Sequence, residues 1–514
     1  MSTTVESRPD DIVIGERPRP GAPRPYEFPA VASHRLSNGL SILVANLPGR
    51  PLVSASVVIR GGASEEPAGL AGSTVLAARA LSEGTERFDA IQLVEAAERL
   101  GASLHAEAGW DALHASVDVP ADRLAPALEL VAEILLRPTF PTSEVERLRD
   151  ERLNDLLQAQ ADPRRRAEQA FADTIYAGAS PYHRPSGGTR ETVERLTASD
   201  LRRAYERTLD PRRATLVVGG DLGGQDVVEL AERMLGSWQG SATTVGDSGG
   251  SIVDTAASNR RIVRVVHRPG SVQTEIRIGH RGLPRRIPDF HAVSVMSAIL
   301  GGLFNSRLNM KLREEKGYSY GAGAGFDLRR GAGPFAARAA VNTEVTVAAT
   351  LDTLAELIRM REGPVEDSEL VAARDFLVGV FPLRFETAGA VVGALSGLVV
   401  HELPIDELVG YRARIEAVDA AAVAAAAQAH LHVESAAIVL VGDIDAFGAE
   451  LEAAGLGPIL IERDAIVEPA PPPEAEAAAP GPVDREDEEG PTAGAEEPEL
   501  PGAPEEPSEA GEAG

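Results

Sequence analysis

The stretch Leu303–Phe326, LFNSRLNMKLREEKGYSYGAGAGF, decides how this chain is read. A glycine pair, Gly301-Gly302, precedes it. Leu308, Met310 and Leu312, set among charges, predict an amphipathic helical run. Lys316-Gly317 marks a turn, and the Tyr/Gly segment Tyr318 to Phe326 predicts a strand. Arg313 closes the helical run, and Tyr320 follows just inside the expected strand. A helix–turn–strand can bring a guanidinium and a phenol together. Arg offers several N–H donors in a fixed fork and Tyr one O–H, a pair suited to clamping a carbonyl group. Alone, the two residues equally suit an exposed helix-end arginine and a half-buried strand tyrosine.

Outward from this stretch the chain repeats itself. RATLVVGGDL near the middle matches SAAIVLVGDI near the end, and their aspartates, Asp221 and Asp443, are 443 − 221 = 222 positions apart. Before the first copy the pattern predicts a hairpin over His34–Pro48 turning at Asn38-Gly39, and a strand over Leu52–Arg60. Helices follow over Gly69–Ser82, Asp89–Leu100, Leu124–Leu136, Ser143–Gln160 and Ala198–Thr208, with alternating β structure over Ala102–Val119. In the second helix Ile91, Val94, Ala97 and Leu100 form the expected apolar face. After a Gly/Ser/Thr linker, Gly240–Ser251, the order returns: strands Arg261–His267 and Val272–His280, helix Phe290–Leu300, the opening stretch, strand Ala336–Val341, helices Val345–Arg361, Asp367–Phe381, Asp406–Ala417 and Ala420–Ala429, and the closing strand Ala437–Val441. A repeat this long means duplicated domains rather than a solenoid. The elements lack strict βαβ alternation, so the expected class is α+β: two homologous half-domains in tandem, each a mostly antiparallel sheet with helices on one face, together forming a bowl. The expected boundaries are a disordered arm over 1–28, half-domains over 29–239 and 261–462, a linker over 240–260, and a disordered acidic tail over 463–514.

Composition narrows the functional classes. Cysteine is absent, which excludes disulfides, thiolate metal sites and a cysteine nucleophile. The net charge is −28. From Ile466 onward fifteen acids and one Arg (Arg485) concentrate half of it in a Pro/Ala/Glu segment that has too little apolar surface to offset its ordering entropy. Basic clusters such as Arg164-Arg165-Arg166 have acids close by, so no nucleic-acid partner is expected. The first twenty residues hold no apolar signal core, and no apolar run reaches membrane-spanning length; the longest, Ala388–Val400, is broken by glycines and Ser396. A cytoplasmic protein with no membrane partner is the expectation.

The opening stretch resembles the second-half signature of the pitrilysin/insulinase family, the inverzincin peptidases. The resemblance rests on a glycine-rich entry, Ser306-Arg307-Leu308, and Leu312-Arg313…Gly317…Tyr320, and it covers roughly residues 29 to 462. It implies that Arg313 and Tyr320 hold the substrate backbone near a scissile bond. Gly301, Gly302 and Phe304 would line the same substrate path. His105, on the hairpin strand that accepts a peptide by strand addition in catalytic relatives, would line the chamber. Those relatives also carry G-[LI]-A-H-x-x-E-H in the first half: two His one helical turn apart bind zinc and the Glu activates its water. Here Gly69-Leu70-Ala71 is followed by Gly72, Val75 and Leu76 at the ligand and base positions. Anchoring on Gly84-Thr85 instead selects Val75, Ala78 and Arg79, which supply no ligand either. The third ligand, counted back from Asp162-Pro163, falls near Asn154 or Asp155. None of the ten histidines forms an i,i+4 pair; His430-Leu431-His432 is the tightest grouping.

The resemblance therefore implies a zinc-less, Arg/Tyr-type chain, similar to mitochondrial processing peptidase alpha and to bacterial heterodimeric homologues. It implies that this chain binds no cofactor, that zinc sits in a homologous H-x-x-E-H partner subunit, and that the pair acts on unfolded peptides. The alternative it leaves open is a scaffold subunit of a larger complex without a peptidase role.

Overall fold

A computed structural model of the protein describes residue 21 and residues 24–240 and 260–463. The expected linker and tail, and most of the expected arm, lie outside these residues. Two six-stranded sheets organise the chain. The first contains β1 (Val31–Arg35), β2 (Ser41–Asn46), β3 (Leu52–Arg60), β4 (Ser103–Ala108), β5 (Ala112–Pro120) and β6 (Ala214–Gly220), in the order β1-β2-β6-β3-β5-β4. The second contains β7 (Val263–His267), β8 (Gln273–Arg281), β9 (Ala322–Phe326), β10 (Pro334–Asn342), β11 (Ala437–Gly442) and β12 (Ile459–Arg463), in the order β12-β7-β11-β8-β10-β9. Pairing is parallel only between β2 and β6, β7 and β11, and β7 and β12. The class is thus α+β with two related halves.

Five strands correspond position by position: β2-β6-β3-β5-β4 and β7-β11-β8-β10-β9. The sixth comes from opposite ends of each half. The first half adds β1 as an antiparallel hairpin partner through Asn38-Gly39, where Gly39 takes φ +96°. The second half adds β12 after its closing helix. The repeated aspartates show the duplication at the level of single hydrogen bonds. Asp221 Oδ2 accepts from the Gly49 N–H at 2.9 Å, and Asp443 Oδ2 from the Gly270 N–H at 2.8 Å. Both glycines sit at positive φ, +80° and +74°. Beside them Asn46 Oδ1 accepts from the Leu222 N–H and His267 Nδ1 from the Ile444 N–H.

The closing strands β6 and β11 are buried along their whole length. Their unbroken apolar runs follow from burial of both faces. One face carries helices of the same half, including Leu124–Leu136 on β5 and Thr346–Glu362 on β8. The other face corrects the expectation of a single helical layer. Helix Ala388–His401 of the second half lies on β3 and β6, and helix Pro163–Ile175 of the first half lies on β8 and β11. Val391, Val392, Leu395 and Leu398 are buried in this exchange. Gly219 of β6 leaves room for it, since a Cβ there would sit 3.0 Å from Val392 Cγ2. Ala388–His401 is apolar almost all round because it is wrapped on several sides, so its sequence shows no amphipathic period.

Other expectations are corrected by packing. The helix expected over Gly69–Ser82 begins only at Ser73 and ends at Ala80, because Gly72 turns into the left-handed region at φ +93°. In helix Ala90–Arg99 the buried residues are Leu93 and Ala97, while Ile91 and Val94 are exposed. Asp406–Ala417 is two short helices broken at Gly410. The arm expected to be unstructured through 28 is packed at its end: Phe28 is buried edge-on against Phe385 at 5.1 Å, and Tyr26 stacks on the same ring at 6.3 Å. Its aromatic side chains supply the burial that its Pro/Arg composition hides. Among the described residues no single helix is long and apolar enough to cross a membrane; Asp367–Phe385 and Ala388–His401 reach that length only together, across a 114° bend.

Candidate functional site

The opening stretch folds as widened turns around a short helix rather than as a regular helix. Phe290–Ser297 is α-helical, Ala298–Gly302 widens into a π-turn, Arg307–Asn309 is a short helix, and Met310–Glu315 is again a π-turn. Wide turns of this kind concentrate at functional sites. Leu308 and Leu312, four apart, are buried, whereas Met310 faces outward and is 44% exposed. Gly317 at φ +65° ends the segment, with its N–H donating to the Arg313 carbonyl at 3.1 Å and the Tyr318 N–H to Leu312 at 2.8 Å.

Two buried side chains fix this segment. Arg307 donates to both Glu369 oxygens at 2.8 and 2.7 Å, to the Pro364 carbonyl at 2.9 Å and to the Arg359 carbonyl at 3.3 Å. The serine-arginine-leucine motif is therefore an anchor to helix Asp367–Val380. Burial by itself raises the Glu369 carboxyl, but the Arg307 guanidinium overrides it and holds the group below its ordinary value. Asn309 donates to the Phe304 carbonyl at 2.6 Å and accepts from the Ala322 N–H at 3.2 Å, tying the glycine loop to the start of β9. Sequence reading missed this role of Asn309.

The loop lies against β9, the free edge of the second sheet. A Cβ on Gly301 would meet the Ala324 nitrogen at 2.0 Å, so Gly301 serves internal packing. Gly301→Ala is expected to destabilise the protein by about 1–3 kcal/mol through forced backbone displacement, read as a lower chemical-denaturation midpoint. Gly302 is exposed, and Phe304 is 65% exposed. The Arg313 guanidinium stands over the Phe304 ring at 4.6 Å and pairs with Glu314 at 3.4 Å. Tyr320 lies before β9 rather than inside it and is 94% exposed, with no hydrogen-bond partner among the described residues. The structure thus brings Phe304 and a partly exposed Arg313 together and leaves Tyr320 exposed before β9.

The first half places the remaining candidates. His105 lies exposed on β4, the free edge of the first sheet, opposite Ser116 of β5. The zinc positions do not fit a metal. Gly72 is the N-cap of helix Ser73–Ala80, Val75 has no donor atom, and Leu76 is in the core. A different carboxylate serves this helix end: buried Glu66 accepts from the N–H groups of Gly72 and Thr74. Burial pushes its carboxyl up, and those hydrogen bonds pull against the shift. On the long helix Thr142–Ala161, Asn154 is exposed and Asp155 is held between Arg152 and Arg165. The inward position is Arg152, in step with Val145, Leu148 and Leu156, and a three-to-four residue count from Leu148 would have found it. Elsewhere His267, Asp443 and Asp445 cluster closely enough for a cation. His267 Nδ1 and Asp443 Oδ2 already accept N–H groups of the repeated turn, as do Asn46 and Asp221 in the other half, while Asp445 lies 3.6 Å from His267 Nε2. His430 ends a helix and bonds Asp289 at 2.7 Å, while His432 packs on His280 with ring centroids 4.9 Å apart.

Comparison with known proteins decides the family. Residues 41–184 match the model for insulinase, peptidase family M16, and residues 195–377 match the model for the peptidase M16 inactive domain, together more than half of the chain. The chain belongs to the M16 family. An uncharacterized zinc protease of Mycobacterium leprae is 26% identical over 308 residues, 59% of this chain and 68% of that one. The Helicobacter pylori protein named non-peptidase homolog YmxG is 24% identical over 365 residues, 69% of this chain and 81% of that one. The crystal structure of a peptidase M16 inactive domain from Pseudomonas fluorescens superposes with a TM-score of 0.74 at 24% identity, covering 80% of this chain and 98% of that one. A protease from Helicobacter pylori gives the same score at 19% identity, covering 81% and 100%. These structures share the M16 fold. No H-x-x-E-H sequence occurs in this M16 chain.

Proposed function

We propose that this chain is the non-catalytic, substrate-binding subunit of a heterodimeric zinc peptidase acting on unfolded peptides. One observation carries the reading: Arg313 is partly exposed and Tyr320 exposed, seven residues apart, while the positions of the zinc motif hold Gly72, Val75 and Leu76. A clamp kept without a metal has a chemical use only against a zinc site supplied in trans, by a homologous H-x-x-E-H chain. β9 follows Tyr320 and is the edge strand of the second sheet, where an extended peptide adds by strand pairing. In this role Arg313 holds a backbone carbonyl of the peptide, Tyr320 donates to the oxygen that gains charge, and Phe304 supports the guanidinium. The chain itself holds no zinc and no other cofactor.

Fluorescence anisotropy with a labelled unstructured peptide tests the substrate-binding part directly. The isolated chain is expected to bind, and Arg313→Ala to weaken binding roughly tenfold, the scale of a lost charge-assisted hydrogen bond. A chain that binds no peptide, or binds equally well without Arg313, would instead serve as a scaffold.

A further inference from the structure

One hairpin occurs in each half, and its two copies differ in their turns. β4 and β5 are joined by residues 109–111, and their counterparts β9 and β10 by the longer turn 327–333. The longer turn is closely built: a Cβ on Gly333 would meet the Asp327 carbonyl oxygen at 1.7 Å, and the Arg285 N–H donates to the Arg329 carbonyl at 2.8 Å. It reaches into the first half, where three successive residues bond through their backbone. The Arg330 N–H donates to Asp111 Oδ2 at 2.9 Å, and the Gly331 N–H to the Tyr182 hydroxyl oxygen at 3.1 Å. The Ala332 carbonyl accepts from the Tyr176 hydroxyl at 2.8 Å. Asp111, Tyr176 and Tyr182 are buried. Arg329 covers the contact, its guanidinium standing over the rings of Trp110 and Tyr182 at 4.9 and 4.7 Å. Trp110 and Asp111 belong to the shorter turn, so the two equivalent hairpins meet at their tips.

Backbone groups of the second half thus take their partners from side chains of the first. Hydrogen bonds are directional, so these three hold the turn in one place relative to Asp111 and the two tyrosines. The Tyr182 hydroxyl also lies 3.4 Å from Asp111 Oδ1, which ties the two acceptors to each other. β9 runs into this turn at Phe326, and its other end is tied to Asn309 through the Ala322 N–H. The edge strand is therefore held at one end by the opening stretch and at the other by the first half. We propose, resting on the substrate-binding reading above, that Asp111 and Tyr182 are positioning residues for the peptide: through the turn they set where the edge of β9 stands. Strand addition aligns several backbone donors and acceptors at once, so a small displacement of the edge weakens all of these bonds together. Asp111 and Tyr182 act through the backbone of the turn and do not touch the peptide.

Three variants of the full chain test this. Tyr182→Phe keeps the ring and removes the acceptor of the Gly331 N–H. Asp111→Ala removes the acceptor of the Arg330 N–H, and Asp111→Asn retains one. Hydrogen–deuterium exchange reads β9 without any peptide. Tyr182→Phe and Asp111→Ala are each expected to exchange about tenfold faster over residues 322–333 with the first sheet unchanged, and to bind a labelled unstructured peptide about tenfold more weakly. Asp111→Asn is expected to match the wild type in both. Tyr182→Phe decides the matter if Asp111→Ala fails to fold. Unchanged exchange in β9, or exchange raised evenly over both sheets, overturns the proposal. Loosened β9 with wild-type affinity overturns it alone, whereas a wild-type chain that binds no peptide overturns the substrate-binding reading and this proposal with it.

Discussion

Arg313→Ala is expected to lower kcat/KM of the reconstituted pair by roughly a hundredfold or more on an unstructured peptide, with little change in stability. Among the described residues the Arg313 side chain, 39% exposed, stands over Phe304 and pairs with the neighbouring Glu314, and Tyr320 is 94% exposed with no hydrogen-bond partner. Neither side chain is a structural anchor. Removing a partly exposed arginine with one weak ion pair has a small effect on folding. Removing a preorganised donor from a developing oxyanion removes about 3–4 kcal/mol of barrier stabilisation. The two readouts therefore separate: activity falls while the unfolding midpoint stays. Tyr320→Phe is expected to follow the same pattern, because only the hydroxyl is lost. Steady-state kinetics alongside denaturant unfolding checks both.

Arg307→Ala is expected to do the reverse, destabilising the described body by about 3–5 kcal/mol, because it breaks a buried charge pair and leaves Glu369 without its partner. Arg307 is six positions before Arg313 in the same segment, yet its side chain is only 2% exposed and satisfies a carboxylate and two carbonyls. The effect carries a pH signature. The folded-state carboxyl of Glu369 is held below its ordinary 4.5, so its pairing contributes stability above that pH and loses it as pH falls through the depressed value. In Arg307→Ala this part of the acid limb should flatten. Urea unfolding at neutral pH and at mildly acid pH measures both effects, and a wild-type-like midpoint for the variant would contradict the anchoring role.

The contrast between Arg307 and Arg313 shows what was legible in the sequence. The motif located both arginines, and its turn glycine, Gly317, sits where a left-handed residue was required. Which arginine faces inward is set by helix Asp367–Val380, distant in sequence, so local spacing could not decide it. The same limit applies to Met310, Ile91 and Val94, apolar residues that a local pattern assigned to a core they do not reach. The repeated closing strands made the duplication readable, but the helix exchange between the halves was not. Helix Ala388–His401 is apolar almost all round, and the sheet on which it buries Val391, Val392, Leu395 and Leu398 belongs to the other half. Gly72, Val75 and Leu76 offer no metal-binding side chain, which the sequence alone states, yet the carboxylate that serves this helix end, Glu66, became visible only in three dimensions.

The most direct test of the central claim is hydrolysis of a short unstructured peptide by the purified chain, alone and mixed with a homologous H-x-x-E-H chain from the same source. The account predicts no cleavage by the chain alone and cleavage in the mixture that exceeds that of the zinc-bearing chain by itself and depends on Arg313. Cleavage by this chain alone, or a stable mixture without cleavage, would contradict it.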